Sequence, residues 1–145
     1  MGHSSLSGKG PEPGFYGPRK IATGPDDSIY VADQGHARIV RFNLDGETLA
    51  TWGSGGTGDG QFRDPTSVAV DPTNKVYVAD PVNSRIQVFD SNGKSLTKWS
   101  IPEWAEPSGF EDLAVDPNRG RLYASSAHMS TILVLDLSGE TDSGP

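Results

Sequence analysis

The stretch Lys75-Val-Tyr-Val-Ala-Asp-Pro-Val-Asn-Ser-Arg-Ile-Gln-Val-Phe-Asp-Ser-Asn-Gly-Lys-Ser-Leu-Thr-Lys-Trp99 decides the fold. Two short runs rich in β-branched and aromatic residues, Val76–Ala79 and Arg85–Phe89, flank a polar connection. A third run, Ser95–Trp99, follows the turn Ser91-Asn-Gly93. Runs of this length bounded by Asn, Asp, Gly and Pro read as antiparallel strands joined by tight turns. The stretch recurs upstream as SIYVADQGHARIVRFNLDGETLATW (Ser28–Trp52) and downstream as RLYASSAHMSTILVLDLSGE (Arg121–Glu140). Tyr30, Tyr77 and Tyr123 mark the same position, Ile39, Ile86 and Ile132 follow each by the same interval, and Gly46, Gly93 and Gly139 close the same turn.

Each copy also takes in the residues before it. Phe15-x-x-Pro18-x-x-Ile21-Ala22 matches Phe62-x-x-Pro65-x-x-Val68-Ala69, and Val68-Ala-Val-Asp-Pro72 matches Leu113-Ala-Val-Asp-Pro117. Every copy therefore divides into short strands a to d. Strand a is Ile21–Thr23, Val68–Val70 or Leu113–Val115. Strand b is Ile29–Ala32, Val76–Ala79 or Leu122–Ser125. Strand c is Arg38–Phe42, Arg85–Phe89 or Thr131–Leu135, and strand d is Thr48–Trp52 or Ser95–Trp99. Four antiparallel strands repeating at about 40–50 residues are the signature of a β-propeller blade. The expected fold is all-β: three four-stranded antiparallel blades forming an open arc or half-ring. The division is a flexible segment or inter-blade loop over 1–14, blade one over 15–60, blade two over 61–107 and blade three over 108–145, the last with an incomplete outer strand.

The copies resemble the NHL repeat family. The likeness rests on Tyr30-Val-Ala-Asp33 with His36-Ala-Arg38-Ile39, and on Tyr77-Val-Ala-Asp80 with Asn83-Ser-Arg85-Ile86. His36 stands where the family has Asn. In the third copy Ser126 replaces the Asp, Met129 the Asn and Thr131 the Arg. The resemblance implies a propeller and is nearly silent on activity, since a propeller is a scaffold for many chemistries.

Composition narrows the function classes. With 12 Lys and Arg against 19 Asp and Glu the net charge is −7, which argues against nucleic acid as a partner. Cysteine is absent, so disulfides and thiolate metal sites are excluded. No apolar run approaches the about 18 residues of a membrane helix, and no signal-peptide core is seen at the N-terminus. Compartment is unreadable, and the likeness to accessory repeat arrays is compatible with a secreted or membrane-associated parent protein.

Strand direction places the b–c and d–a loops on one face, here called the top. Binding sites sit on loops held by rigid scaffolds, so the candidate binding residues are Gln34, His36, Asn83 and His128 in b–c loops, Trp104 in the third d–a loop, and Arg19, Glu111 and Asp112 near the channel mouth. Asp33 with Arg38, and Asp80 with Arg85, bracket the same hairpin in two copies and read as a structural clamp. Gly53–Gly60 (GSGGTGDG) has no following Lys-Ser/Thr and no helix behind it, so it is not a phosphate loop; the d–a loop Gly53–Asp64 that contains it is Gly-rich, which predicts mobility. Glu111 and Asp112 read as solvated rim charges or, functionally, as a cation site. Trp104 reads equally as a partner anchor or as a cover between blades two and three.

No catalytic residue and no cofactor is assigned. The leading expectation is a non-catalytic scaffold that binds a protein through its top-face loops. The competitor is an enzyme of the propeller lyase or lactonase kind with a divalent metal on the axis. RNA binding ranks third, resting on Arg19, Lys20 and Arg63. Three blades fall short of the about four to eight of closed rings. The chain therefore reads as a fragment of a longer repeat protein, with further propeller blades as partners. Alternatively, a homodimer completes a six-bladed ring.

Overall fold

A computed structural model describes residues 2, 11 and 13–137. The expected segment 1–14 and the close of the third repeat at Gly139 and Glu140 lie largely or wholly outside the described residues. The chain is all-β, with three short 3-10 turns and no α-helix among the described residues.

Thirteen strands follow in order among the described residues. The first sheet contains β1 (Pro18–Thr23), β2 (Ile29–Asp33), β3 (Arg38–Phe42) and β4 (Thr48–Trp52), paired in that order. A two-residue parallel ladder, β5 (Ser54–Gly55) with β6 (Gln61–Phe62), spans the connection to the second sheet. That sheet contains β7 (Ser67–Val70), β8 (Val76–Asp80), β9 (Arg85–Phe89) and β10 (Ser95–Ser100). The third contains β11 (Leu113–Asp116), β12 (Arg121–Ser126) and β13 (Thr131–Asp136), with no fourth strand among the described residues. All pairings within these three sheets are antiparallel. The meanders are those of propeller blades, and their inner strands β1, β7 and β11 adjoin one another.

Turn chemistry sets the register. Asp71 Oδ1 accepts from the backbone N–H of Thr73 and Lys75, and Asp90 Oδ1 accepts from Asn92 and Lys94. These side chains imitate a backbone turn. Gly93 is required twice over: its φ is +93°, and a Cβ there would lie 2.5 Å from the Trp52 ring.

The strand period of two gives each sheet two faces. Tyr30, Ala32 and Ile39 of the first sheet pack on Phe62 of β6 and on Val68, Val76, Val78 and Phe89 of the second sheet. The other face of the second sheet, with Ala69, Tyr77, Ile86 and Val88, packs on Leu113, Leu122 and Ala124 of the third. A smaller cluster of Val31, Val40 and Phe42, with Phe15 and Ile29 beside it, lies on the far side of the first sheet. The core is therefore a series of inter-sheet layers, each needing a neighbouring sheet to exclude water.

Candidate functional site

The top face is built on two buried carboxylates. Asp33 and Asp80 end β2 and β8 and are 0% exposed. Each faces its Arg across the ladder, and each accepts Nε–H at 2.8 Å: Arg38 to Asp33 and Arg85 to Asp80. The second donor comes from the b–c turn. Asn83 Nδ2 donates to Asp80 at 2.9 Å, and His36 Nδ1 lies 2.9 Å from the corresponding oxygen of Asp33. The third donor is a backbone N–H 17 residues upstream, from Tyr16 to Asp33 and from Arg63 to Asp80, at 2.8 and 2.9 Å. His36 thus occupies the place of Asn83 in a repeated network. A buried charge is tolerated when its lone pairs are filled in this way.

The arginines carry the network into the d–a loops. Arg85 donates to the carbonyls of Thr57, Gly58 and Gln61 at 2.7–3.0 Å, and Arg38 donates to Gly14. Asn83 also donates to Gly56, and the Gln87 carboxamide bridges Gly60 N–H and the Gln61 carbonyl. The Gly-rich loop, expected from composition to be mobile, is thereby tied to the second sheet at several backbone points. Two of its glycines serve close approach to side chains: a Cβ at Gly53 would meet the Phe62 ring at 2.6 Å, and one at Gly56 would meet the Gln61 carboxamide.

The pinned loops enclose an open groove of about 570 Å³ between the first two sheets. Gln34 and Gly35 form one wall and Gly55, Gly56 and Thr57 another, while Arg63, Asp64 and Val82 stand at the rim. Arg63, Asp64 and Val82 are exposed. Gly35 cannot carry a side chain, because a Cβ would fall 2.2 Å from the Tyr16 carbonyl, to which the Gly35 N–H donates.

The channel-mouth residues form a second cluster. Lys20, Ser67 and Asp112 occupy the same register position on or beside the three inner strands, two residues before Ala22, Ala69 and Ala114. Lys20 pairs with Asp112, and Ser67 Oγ donates to Asp112 at 2.6 Å. Burial pushes the Asp112 carboxyl up, but the hydrogen bonds from Lys20, Ser67 and the Leu113 N–H, with the Lys20 charge, hold it below the usual carboxylate range. Arg19 donates to the Gly109 carbonyl at 2.5 Å and lies 5.4 Å over the Phe110 ring. The first and third sheets therefore meet through these side chains, and Arg19 and Lys20 are both engaged.

Two readings change at the third sheet. Glu111 is not a solvated rim charge: it is 1% exposed and accepts from the N–H groups of Ser108 and Gly109 and from the Ser108 hydroxyl. Burial pushes its carboxyl up, and these donors outweigh that and hold it below the usual range. Trp104 is 0% exposed, packs with Leu113 and Leu122, and donates Nε1–H to the Ser125 carbonyl at 2.9 Å. It presents no surface to a partner and fills the layer between the second and third sheets. With Ser126 Oγ donating to the Glu103 carbonyl, it fastens the third d–a loop without an Asp–Arg pair.

The two histidines are not brought together. His36 belongs to the Asp33 network, whereas His128 pairs with Glu106 at 2.6 Å on the third sheet. Among the described residues no group of three or more His, Asp or Glu side chains is arranged to hold a metal ion. No described helix is long and apolar enough to cross a membrane.

Comparison with known proteins agrees with this geometry. The NHL repeat model matches residues 15–42 and 62–89, the segments that hold the two carboxylate networks. No curated protein sequence matches the chain. Among solved structures, a gluconolactonase of Xanthomonas campestris superposes with a TM-score of 0.58 at 23% identity, over 78% of this chain and 36% of that one. The chain thus spans about a third of that protein's length, and at this identity the likeness concerns the fold. The chain thus carries two NHL repeats, at residues 15–42 and 62–89, in the first two of three propeller-type sheets.

Proposed function

We propose that the chain is a non-catalytic interaction scaffold that seats a protein partner on its top-face loops, in the groove between the first and second sheets. The observation that supports this reading is the pinned groove itself. Its walls are backbone held by hydrogen bonds from Arg85 to Thr57, from Asn83 to Gly56 and from the Gly35 N–H to Tyr16, and its rim offers an exposed apolar residue, Val82, beside an exposed cation and anion, Arg63 and Asp64. A preformed concave surface loses little conformational entropy on binding. Gln34, beside the groove, and Asn83, which orders it, act within this reading, whereas His128 lies apart on the third sheet.

The test compares affinity captures by the wild type, Val82→Glu, Arg63→Ala and Leu44→Glu. Leu44 is exposed in a turn on the opposite face. A specific partner retained by Leu44→Glu and lost by both groove variants is expected. A partner lost equally by all three, or by Leu44→Glu alone, overturns the reading.

The competing reading is a lactonase-like enzyme, favoured by the superposition on a gluconolactonase. A divalent metal on the axis has no fitting donor set among the described residues: Asp112 is taken by Lys20 and Ser67, and Glu111 by Ser108 and Gly109. Stoichiometric metal retained after dialysis, together with lactone hydrolysis, would establish this alternative.

A further inference from the structure

The third sheet repeats, in register, a surface that the second sheet buries. Ala69, Tyr77 and Val88 stand opposite one another across β7, β8 and β9; Ala114, Tyr123 and Val134 do so across β11, β12 and β13. Ile86 and Ile132 also correspond, each pairing with the residue two beyond the Tyr. Even the polar edge is kept, since Tyr77 donates to Asp71 and Tyr123 to Asp116. On the second sheet Ile86 and Val88 are 0% and 2% exposed, because the third sheet covers them. On the third sheet Ile132 and Val134 are 61% and 57% exposed. Single exposed apolar residues are ordinary, but a register-matched copy of an inter-sheet layer is an interface surface.

The complementary half of such a joint is the face that a following sheet presents. Val68 is part of that face on the second sheet and is 1% exposed against the first. Its counterpart on the first sheet is Ile21, since Ile21 pairs with Val31 as Val68 pairs with Val78. Ile21 is 64% exposed. Val31 and Val40 on the same face are already buried, so the open part is the inner strand β1. Inner strands are also where neighbouring sheets adjoin in this chain. Among the described residues the first and third sheets therefore carry complementary open half-joints on opposite faces.

We infer that the exposed face of the third sheet docks on the first sheet of a second copy, and that two such contacts, related by a twofold axis, close a ring of six sheets. The contact is heterologous: Ile132 and Val134 of one copy meet Ile21 of the other. A rotation that closes after two copies gives a discrete dimer and not a filament. Six sheets also fall within the about four to eight of closed propellers. The groove lies between sheets of one chain, so this contact stands whether or not the groove binds a partner.

The experiment is a mass measurement by sedimentation equilibrium at about 100 µM, followed by complementation between variants. The wild type is expected at twice the 15.4 kDa chain mass. Val134→Glu and Ile21→Glu, each checked for a cooperative thermal transition, are expected as monomers. Mixed together they are expected to form a one-to-one heterodimer, because one of the two contacts, the third sheet of Ile21→Glu on the first sheet of Val134→Glu, remains intact. A wild-type monomer at this concentration overturns the inference regardless of how the variants fold. A wild-type dimer whose variants do not complement each other points to like-on-like pairing and overturns it too, as does open-ended growth into longer chains.

Discussion

The first and second sheets carry the same carboxylate network, yet they differ at two points. At the top, His36 stands where the second sheet has Asn83. At the bottom, Gly24 stands where the second sheet has Asp71, the residue that accepts the Tyr77 hydroxyl. The top substitution keeps a donor to the buried Asp. The bottom one removes an acceptor, and the Tyr30 hydroxyl is buried with no hydrogen-bond partner. The repeat therefore tolerates drift where the chemistry is replaceable, and it leaves an unsatisfied polar atom where it is not. The third sheet goes further: it discards the Asp–Arg pair and fastens its loop with Trp104, Glu111 and Ser126.

The largest expected effect tests whether the two networks are energetically equivalent. Asp80→Ala strands the Arg85 guanidinium, whose side chain is 9% exposed, and loosens the loop it holds. Removing one partner of a buried pair costs about 3–5 kcal/mol. Asp33→Ala is expected to fall in the same range, since the Arg38 side chain is 10% exposed. Urea unfolding of both variants is the measurement. A cost below about 1 kcal/mol for either would show that its network is an ornament of the repeat and not its anchor.

The bottom-face contrast predicts opposite outcomes for one substitution. Tyr77→Phe removes a buried hydrogen bond to the Asp71 carboxylate and is expected to cost about 1.5–3 kcal/mol. Tyr30→Phe removes a hydroxyl that has no partner, and is expected to be neutral or stabilising by up to about 1 kcal/mol. Burial, reinforced by Asp71, pushes the Tyr77 phenol well above its usual value, so it stays protonated across the neutral range. Equal losses at the two positions would remove the contrast.

The third sheet's replacement is open to a pH test. The Glu111 carboxyl is held below its ordinary value, so the folded state binds its proton less readily than the unfolded chain. Its contribution is present above the unfolded pKa of about 4.3 and is lost as pH falls through the lower folded value. Glu111→Gln is expected to destabilise by about 1–2 kcal/mol near neutrality and to flatten the acid limb of the stability curve. Chemical unfolding between pH 7 and pH 3 measures both. An unchanged acid limb would place the acid sensitivity elsewhere.

These differences also mark what could be read without coordinates. The strands were legible because a period of two and Asn/Asp/Gly turns are local signals: Arg38–Phe42, Arg85–Phe89 and Thr48–Trp52 lie where alternation puts them. The Asp–Arg pairing was legible from its recurrence. The third donor to each Asp was not, because a backbone N–H 17 residues away leaves no trace in side-chain spacing. The β5–β6 ladder was hidden for a similar reason, since Ser54–Gly55 offers no apolar pattern to read. Burial of Trp104 and Glu111 depends on how two sheets stack, which no single repeat encodes. The missing partner of Tyr30 follows from the alignment of Gly24 with Asp71 only once the Tyr77–Asp71 hydrogen bond is known.

The smallest expected effect concerns His36, and it separates a replaced donor from an acquired function. Its ring is partly exposed, lies 5.7 Å from Tyr16 and shares the Asp33 carboxylate with Arg38. If it only stands in for Asn83, then His36→Asn restores the second sheet's arrangement and changes stability by less than about 0.5 kcal/mol. His36→Ala instead removes one donor from a buried carboxylate and is expected to cost about 1–2 kcal/mol, matching Asn83→Ala. Partner capture supplies the second readout. A rescue of stability by Asn without a rescue of binding would make His36 a contact residue of the groove rim, beyond its place in the network. Rescue of both would assign it wholly to the scaffold, leaving recognition to Arg63, Asp64 and Val82.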